Sequence, residues 1–459
     1  MRTDVPLDGQ QVLTRRRRTA LLAEVGATVM LALPLIAGQL AVIGQHVVDV
    51  LLAGHLGTDV LGAVSVGANA WMIPLMAIVG LMMAVPPSVA QLDGAGRRAE
   101  VAPLFRQAIW LALMLGTVMG VITYFGAPLL VHAMGMDPAL ADTAATFLRP
   151  IAFEAPSVAL FCACRGLTDG LSMPRIGMVF SILGLALLPP LAWAMMYGRL
   201  GFPPMGVAGS AIATAIVSWV LALAFLAYVR FGAATRDLNW QHGTWQPNSA
   251  AILGLLRLGV PMSISVILEV GLFSFVSLLA GSFGTVAVGS HQIALNVGSV
   301  TFMVPLGLSM AIAVRVGNAA GRRDPAAVRL AGLAGISLAA LAQVIACTLL
   351  LSIPTIIAGW YTDDITLKAG AASLLFLAAL FQVSDGIQVA AAGALRGLKD
   401  TRIPMLITAS AYWAIGMPTG WMLAYHVNMN VQGLWIGLIA GLTTAAILLL
   451  TRFLKLSRS

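Results

Sequence analysis

GATVMLALPLIAGQLAVIGQHVVDVLLAGHLGT, residues 26–58, and LGLLRLGVPMSISVILEVGLFSFVSLLAGSFGT, residues 253–285, align along their whole length at an offset of 227. Pro34 pairs with Pro261, the run LLAG at 51–54 with LLAG at 278–281, and Gly57-Thr58 with Gly284-Thr285; further on, Asn69 pairs with Asn296. A second pairing joins RGLTD at 165–169 to RGLKD at 396–400, at an offset of 231. The chain therefore consists of two related halves. Each quoted stretch is apolar for longer than the roughly 20 residues that cross a hydrocarbon core about 30 Å thick. Each nevertheless carries one carboxylate, Asp49 or Glu269.

Hydrophobic residues make up 59% of the chain and charged ones 10%, against about 45–50% and roughly 25% in soluble domains. This composition excludes an ordinary soluble domain and predicts an all-α polytopic membrane protein. Twelve apolar segments are separated by short polar breaks: 24–54, 59–86, 104–133, 141–165, 174–197, 206–230, 251–282, 286–317, 326–358, 367–395, 403–426 and 432–454. Six precede the polar stretch RDLNWQHGTWQPN, Arg236 to Asn248, and six follow it. The expected architecture is two pseudo-symmetric six-helix lobes with a central cavity: an N-lobe over 1–235, a linker over 236–250 and a C-lobe over 251–459. Because six is even, both halves enter the membrane from one side, and the repeats are parallel about an axis along the membrane normal.

The net charge of +8 does not point to nucleic acid once its distribution is traced. All Lys and Arg residues except Arg149, Arg199 and Lys368 fall at one set of helix ends. The positive-inside rule makes that side, both termini included, cytoplasmic, and the bacterial inner membrane is the expected location. The run Arg15 to Arg18 is followed by a segment too long for a signal-peptide core and lacking a small-residue cleavage pattern, so it is expected to be retained. Cys162, Cys164 and Cys347 lie in predicted helices and read as packing residues. His46, His55, His132, His242, His291 and His426 show no metal-ligand spacing and read as hydrogen-bonding residues near helix ends. Prolines recur inside the spans, and Pro34 and Pro261 are the hinge candidates because they occupy one repeat position.

Helix rise gives the depth of the acids. Glu269 lies 12 residues beyond Arg257 and Asp385 lies 11 before Arg396, which places both about 16–18 Å from the basic ends, near the midplane. Glu154, 11 residues before Arg165, has the same depth and is the repeat counterpart of Asp385. Asp49 aligns with Val276 and Glu269 with Val42, so Asp49 should lie about 10 Å nearer the opposite surface than Glu269. An acid at a helix centre costs about 2.5–3.5 kcal/mol on insertion scales. Four of them point to a proton or cation relay, in which binding relieves the buried charge. The bland alternative is an acid hydrogen-bonded for packing, and for Glu154 the nearby Arg149 is the candidate partner.

The segments HQIALNVGSVTFMVPLGLSMAIAVRVGNAAGRRD, His291 to Asp324, and SDGIQVAAAGALRGLKDTRIP, Ser384 to Pro404, closely resemble the multidrug and toxic-compound extrusion (MATE) family in its NorM-like bacterial branch. The resemblance extends over nearly the whole chain. It implies a twelve-helix, V-shaped antiporter that expels cationic, amphipathic compounds in exchange for Na⁺ or H⁺, with no cofactor. Glu269 and Asp385 match the family's C-lobe cation pair, a site for Na⁺ if that is the coupling ion, and Asp49 matches its N-lobe coupling aspartate. Two departures stand out. Phe381 occupies the position, one turn before Asp385, where NorM-like members commonly carry tyrosine. Leu188 and Ala192 stand where span five often carries asparagines, and Glu154, outside the usual pattern, is expected to compensate. Fewer neutral oxygens favour H⁺ over a hard cation.

Gln292, Asn296 and Gln388 are candidate polar contacts for a substrate, and Phe302, Met303, Phe381 and Trp413 candidate aromatic or adaptable surfaces for flat cations. The expected partners are the bilayer and small cationic or amphipathic molecules, with the protein working as a monomer. Rival readings are a lipid-linked oligosaccharide flippase of the same superfamily and a membrane-embedded enzyme. The first is disfavoured by acidic rather than basic deep charges. The second lacks a GxGD or HExxH sequence. The loop QLDGAGRR, Gln91 to Arg98, is only partly similar to the major facilitator signature.

Overall fold

The computed structural model describes residues 9–55, 58–126, 129, 138–238, 240 and 245–458. His132, His242 and part of the expected linker lie outside the described residues. Among those described there is no strand, and eleven helical stretches are long and apolar enough to cross a bilayer. Span one is α1, Gly9–Gly54; span two is α2, Thr58–Met82, continued by α3, Val85–Gly94. Span three is α4, Val101–Val121, and span four joins α5, Pro138–Ile151, to α6, Ala155–Gly170. Spans five and six are α7, Pro174–Tyr197, and α8, Val207–Phe231.

The second half repeats this plan with α9, Ser249–Gly281, α10, Thr285–Gly321, and α11, Pro325–Ser352. A short α12, Pro354–Gly359, precedes α13, Ile365–Gly397. The eleventh span is helical throughout but not uniformly α. α14, Arg402–Ala409, passes into a π-helical stretch, Ser410–Gly416, then α15, Met417–Trp421, then a second π stretch, Met422–His426. Span twelve is α16, Asn430–Leu456. Each of the twelve segments expected from hydropathy is helical over most of its described residues.

Three boundaries differ from expectation for identifiable reasons. α1 begins well before residue 24 and carries Arg18 as its continuation. Span two does not stop at 86, because the proline pair falls in the first turn of α3, where a missing amide costs nothing. Span nine stops at Ser352, ahead of Pro354, rather than running to 358.

Repeat symmetry governs how the lobes meet. We call the end bearing Arg98, Arg165, Arg257 and Arg322 the basic end. Midway along the spans, a Cβ on Gly80 would fall 2.5 Å from Cα of Ser263, and a Cβ on Gly307 would fall 2.5 Å from Cγ1 of Ile36. Gly80 and Gly307 are repeat counterparts at offset 227, and so are Ile36 and Ser263. Closer to the basic end the reciprocity recurs: Gly94 lies against the carbonyl of Asn318, and Gly321 against that of Gln91, again with both members related by 227. Small residues let backbones approach, as in other membrane helix pairs.

The hydrogen bonds joining the lobes lie in the same half. Gln91 donates to the Gly397 carbonyl at 2.8 Å, Ser263 to the Ala77 carbonyl at 3.1 Å, and Arg315 makes a two-pronged ion pair with Glu24 at 2.8 and 2.5 Å. Ala32 and Leu35 of α1 join a core with Leu308, Ala311 and Ile312 of α10, while Ile252 and Leu255 of α9 join the core of the first half. The first span of each repeat therefore leans on the other lobe. The described contacts between the lobes run from mid-span to the basic end.

Candidate functional site

Inside the C-lobe, α9 and α13 bring Glu269 and Asp385 within electrostatic reach of each other. Asp385 is buried, while Glu269 is half-buried. Arg396 lies within reach of Glu269, and its Nη2 donates to Ser309 Oγ at 2.8 Å. Its helix position is near the basic end, yet its guanidinium serves the interior. With both carboxyls ionised, this group of three carries one net negative charge, so a single proton or monovalent cation neutralises it. On α13, polar side chains between Phe381 and Asp385 in sequence are tied to other helices. Gln343 donates to Gln382 Oε1 at 2.7 Å, Gln382 donates to Thr301 Oγ1, and Ser384 is hydrogen-bonded to Thr443 at 2.8 Å.

The N-lobe site is built around a break in span four. Pro150 and Pro156 flank a 3₁₀ turn, Ala152–Glu154, that joins α5 to α6; each proline removes an amide donor, and the chain tightens between them. Glu154, buried on that turn, accepts from Ser218 Oγ at 2.8 Å and lies beside Trp71. Asp49 accepts from Ser210 Oγ at 3.1 Å, with Thr214 beside it. The two carboxyls are within electrostatic reach. Ser210, Thr214 and Ser218 are spaced by four, so one face of α8 presents hydroxyls to both acids. Arg149 is exposed, and the partners of Glu154 come from α8 and α2 instead. Leu188 and Ala192 are buried as core residues, as the missing amides implied.

The remaining candidates separate by location. Gln292, Asn296 and Trp413 are exposed, Phe302 and Met303 half-buried. Asn296 Oδ1 accepts from the Tyr361 hydroxyl at 3.0 Å, and Trp413 Nε1 donates to the Leu268 carbonyl at 3.3 Å. Phe381 and Gln388 are buried inside the C-lobe, where the Phe381 ring lies 5.9 Å from Phe273 and 5.7 Å from Trp435. Pro34 and Pro261 sit within unbroken helices, buried where α1 and α9 meet the opposite lobe.

His291 is not a helix-end residue: it is fully buried, six positions into α10. Trp435 Nε1, which can only donate, reaches His291 Nδ1 at 3.2 Å, so the ring proton sits on Nε2 and is shared with Ser277 Oγ at 2.9 Å. It is a neutral, satisfied core histidine. Among the described residues no cluster of His, Cys, Asp and Glu has metal-site character, and the three cysteines are free. Arg396 and the α8 hydroxyls were not among the site residues expected from the sequence. Only the latter had a visible signal, the four-residue spacing of Ser210, Thr214 and Ser218 in an apolar helix.

Two parallel six-helix lobes, joined at one end and each enclosing membrane-embedded carboxyls, define a two-lobed membrane transporter rather than an enzyme. The MatE family model matches the chain twice, over residues 34–194 and 261–422, starting in each half at the repeat-related proline. The chain belongs to that family, which is the multidrug and toxic-compound extrusion family. It is similar to a probable multidrug resistance protein NorM of Xanthomonas campestris pv. campestris, with 41% identity over 95% of each chain. Its fold is like that of the outward-facing conformation of a multidrug resistance MATE family transporter of the MOP superfamily, with a TM-score of 0.87 and 20% identity over 95% of this chain and 97% of that one. The eukaryotic MATE transporter AtDTX14 is similar at a TM-score of 0.85 and 20% identity, over 95% and 98%.

Proposed function

We propose that this protein is a multidrug efflux antiporter of a bacterial inner membrane that expels cationic, amphipathic compounds in exchange for H⁺. The basic end is cytoplasmic, both termini included, so lobes joined from mid-span to that end represent the outward-facing state. Residues 1–235 and 251–459 act as the lobes, residues 236–250 connect them, and Pro34 and Pro261 flex where α1 and α9 lean across. The protein works as a monomer without a cofactor.

The observation that carries this reading is the enclosed group of Glu269, Asp385 and Arg396 in the C-lobe, with its uncompensated negative charge. A cationic substrate and a proton compete to neutralise such a group, and that competition is the basis of exchange. The Asp49 and Glu154 pair gives the N-lobe a second, chemically different site. Gln292, Asn296, Phe302, Met303 and Trp413 contact substrate, while Phe381 and Gln388 act from within the lobe. The protein reconstituted in liposomes should move a fluorescent organic cation when a pH gradient alone is imposed. Movement driven only by a Na⁺ gradient would overturn the proton assignment, and no movement with either would overturn antiport.

A further inference from the structure

Three buried polar atoms of the C-lobe have no hydrogen-bond partner: Asp385 Oδ1, Gln388 Oε1 and the Tyr412 hydroxyl. Buried polar groups are normally paired, and leaving one unpaired is costly. Asp385 and Gln388 are three apart on α13 and so share a face. Tyr412 comes from span eleven, where it is 0% exposed and lies within electrostatic reach of both Glu269 and Asp385. It sits on the first π-helical stretch, Ser410–Gly416, and such stretches re-aim side chains and recur at functional sites.

Position 381, one turn before Asp385, offers only the ring of phenylalanine, and that ring is packed against Phe273 and Trp435. We infer that Tyr412 supplies the carboxyl pair, from a different helix, with the phenolic hydroxyl that Phe381 lacks, and that it donates to the ionised carboxylate once the coupling ion has left. The inference rests on the proposed role of Glu269 and Asp385. The charged groups facing the pair are the two carboxyls themselves and Arg396, which is held by Ser309 of α10. The neighbouring face of α16 contributes apolar Leu438, Leu442 and Ala445 to the same core as Tyr412. Asp385 Oδ1 and the Tyr412 hydroxyl are both without a partner in this structure and lie within electrostatic reach of each other, so the phenol is a donor available to the carboxylate. Tyr412 is thus a positioning residue that sets how tightly the site holds its ion.

The test is transport in liposomes as a function of proton concentration for Tyr412→Phe, Asp385→Asn and the double variant Tyr412→Phe/Phe381→Tyr. Removing a donor to the ionised carboxylate strengthens proton binding. Tyr412→Phe should therefore reach half-maximal transport at about tenfold lower proton concentration, and the double variant should return toward wild type. A packing role alone moves neither, because every variant keeps the aromatic ring at both positions. Site-specific 3-fluorotyrosine at 412 retains ring and hydroxyl and is a stronger donor, so its half-maximal concentration should shift the opposite way. This arm stands even where Tyr412→Phe fails to fold. Unchanged proton dependence in the phenylalanine or fluorotyrosine protein, with Asp385→Asn inactive, overturns the role of Tyr412 alone. Wild-type transport by Asp385→Asn overturns the C-lobe reading itself.

Discussion

Gly80 and Gly307 occupy equivalent places in the two repeats, and each lies against the first span of the opposite lobe, Gly80 on Ser263 and Gly307 on Ile36. The close approach leaves no room for a side chain on either, because the obstructing atoms include backbone. These contacts close the lobes on each other at mid-span. In Gly307→Val the lobes should be unable to meet there, and transport should fall by at least about tenfold. Labelling of a cysteine at Ala90, fully buried beside Gly317, should rise in a background without native cysteines. Unchanged labelling together with unchanged transport would show that the lobes need not close at this point.

That interface was latent in the sequence, since the offset of 227 pairs Gly80 with Gly307 and Ile36 with Ser263 before any coordinates are known. What the offset does not reveal is that these four residues touch, because contact across lobes depends on the lean of α1 and α9. The same limit applies at the sites. Helix rise placed Glu269, Asp385 and Glu154 at one depth, and the structure brings the first two together. Depth carries no rotation, however: the missing amides led Glu154 to be expected as a compensating group for Asp49, but its hydroxyl partner on α8 was not legible. Tyr412 was hidden for a further reason: π-helical turns change the residue-per-turn count, and a 3.6-residue reading of span eleven assigns its faces wrongly. Arg396 was counted as a topology marker, but an arginine side chain is long enough to run back along its helix.

Glu269→Gln and Asp385→Asn remove one charge each from the C-lobe group without changing its volume. Either change leaves Arg396 balanced or in excess, and the site then has no net negative charge to exchange. Both variants should be made and folded in normal amounts, with efflux of a cationic dye reduced to the level of empty vesicles. Wild-type efflux by both would remove the C-lobe from the coupling scheme.

Glu154→Gln distinguishes packing from coupling in the N-lobe. The amide oxygen of glutamine still accepts from Ser218, so the 3₁₀ turn between Pro150 and Pro156 keeps its tether. The protein should melt within a few degrees of wild type, whereas proton-driven transport should fall by about tenfold. Ser218→Ala provides the complementary case, retaining the acid while removing its donor, and should change the proton dependence more than the maximal rate. A Glu154→Gln protein that is unstable would assign the residue to packing.

Asp364 caps α13 outside the membrane segment, accepting from Thr366 Oγ1 at 2.5 Å and from the amides of Thr366 and Leu367 at 2.8 and 2.9 Å. The Thr366 hydroxyl first, then these amides, holds its carboxyl below the ordinary 3.8. A depressed folded-state value means that the cap's contribution is present above the unfolded-state value and is lost as pH falls through the lower, folded one. Hydrogen exchange at residues 365–368 should therefore rise, after correction for intrinsic rates, only once pH drops below about 3.8. Asp364→Asn, which still caps but does not titrate, should show no such step.

The described linker residues Trp240, Trp245, Gln246 and Asn248 are fastened to the N-lobe. Arg106, fully buried on α4, donates to the Trp240 carbonyl at 2.6 Å and lies 5.3 Å from the Trp245 ring. Its neighbour Gln107 donates to the Gln246 carbonyl at 3.1 Å and accepts from the Asn248 amide at 2.7 Å, and Trp110 donates to the Trp245 carbonyl at 2.7 Å. These linker residues therefore move with the N-lobe, and any give within the connection falls at the start of α9, after Asn248. A charge-assisted bond to a buried carbonyl contributes about 1.5–3 kcal/mol, so Arg106→Met should lower the melting temperature and raise exchange at residues 245–248. Gln107→Ala cuts the tether at Asn248 itself and should raise exchange at 248–251, the first turn of α9, more than Arg106→Met does. Equal protection of that turn in both variants would place the pivot elsewhere.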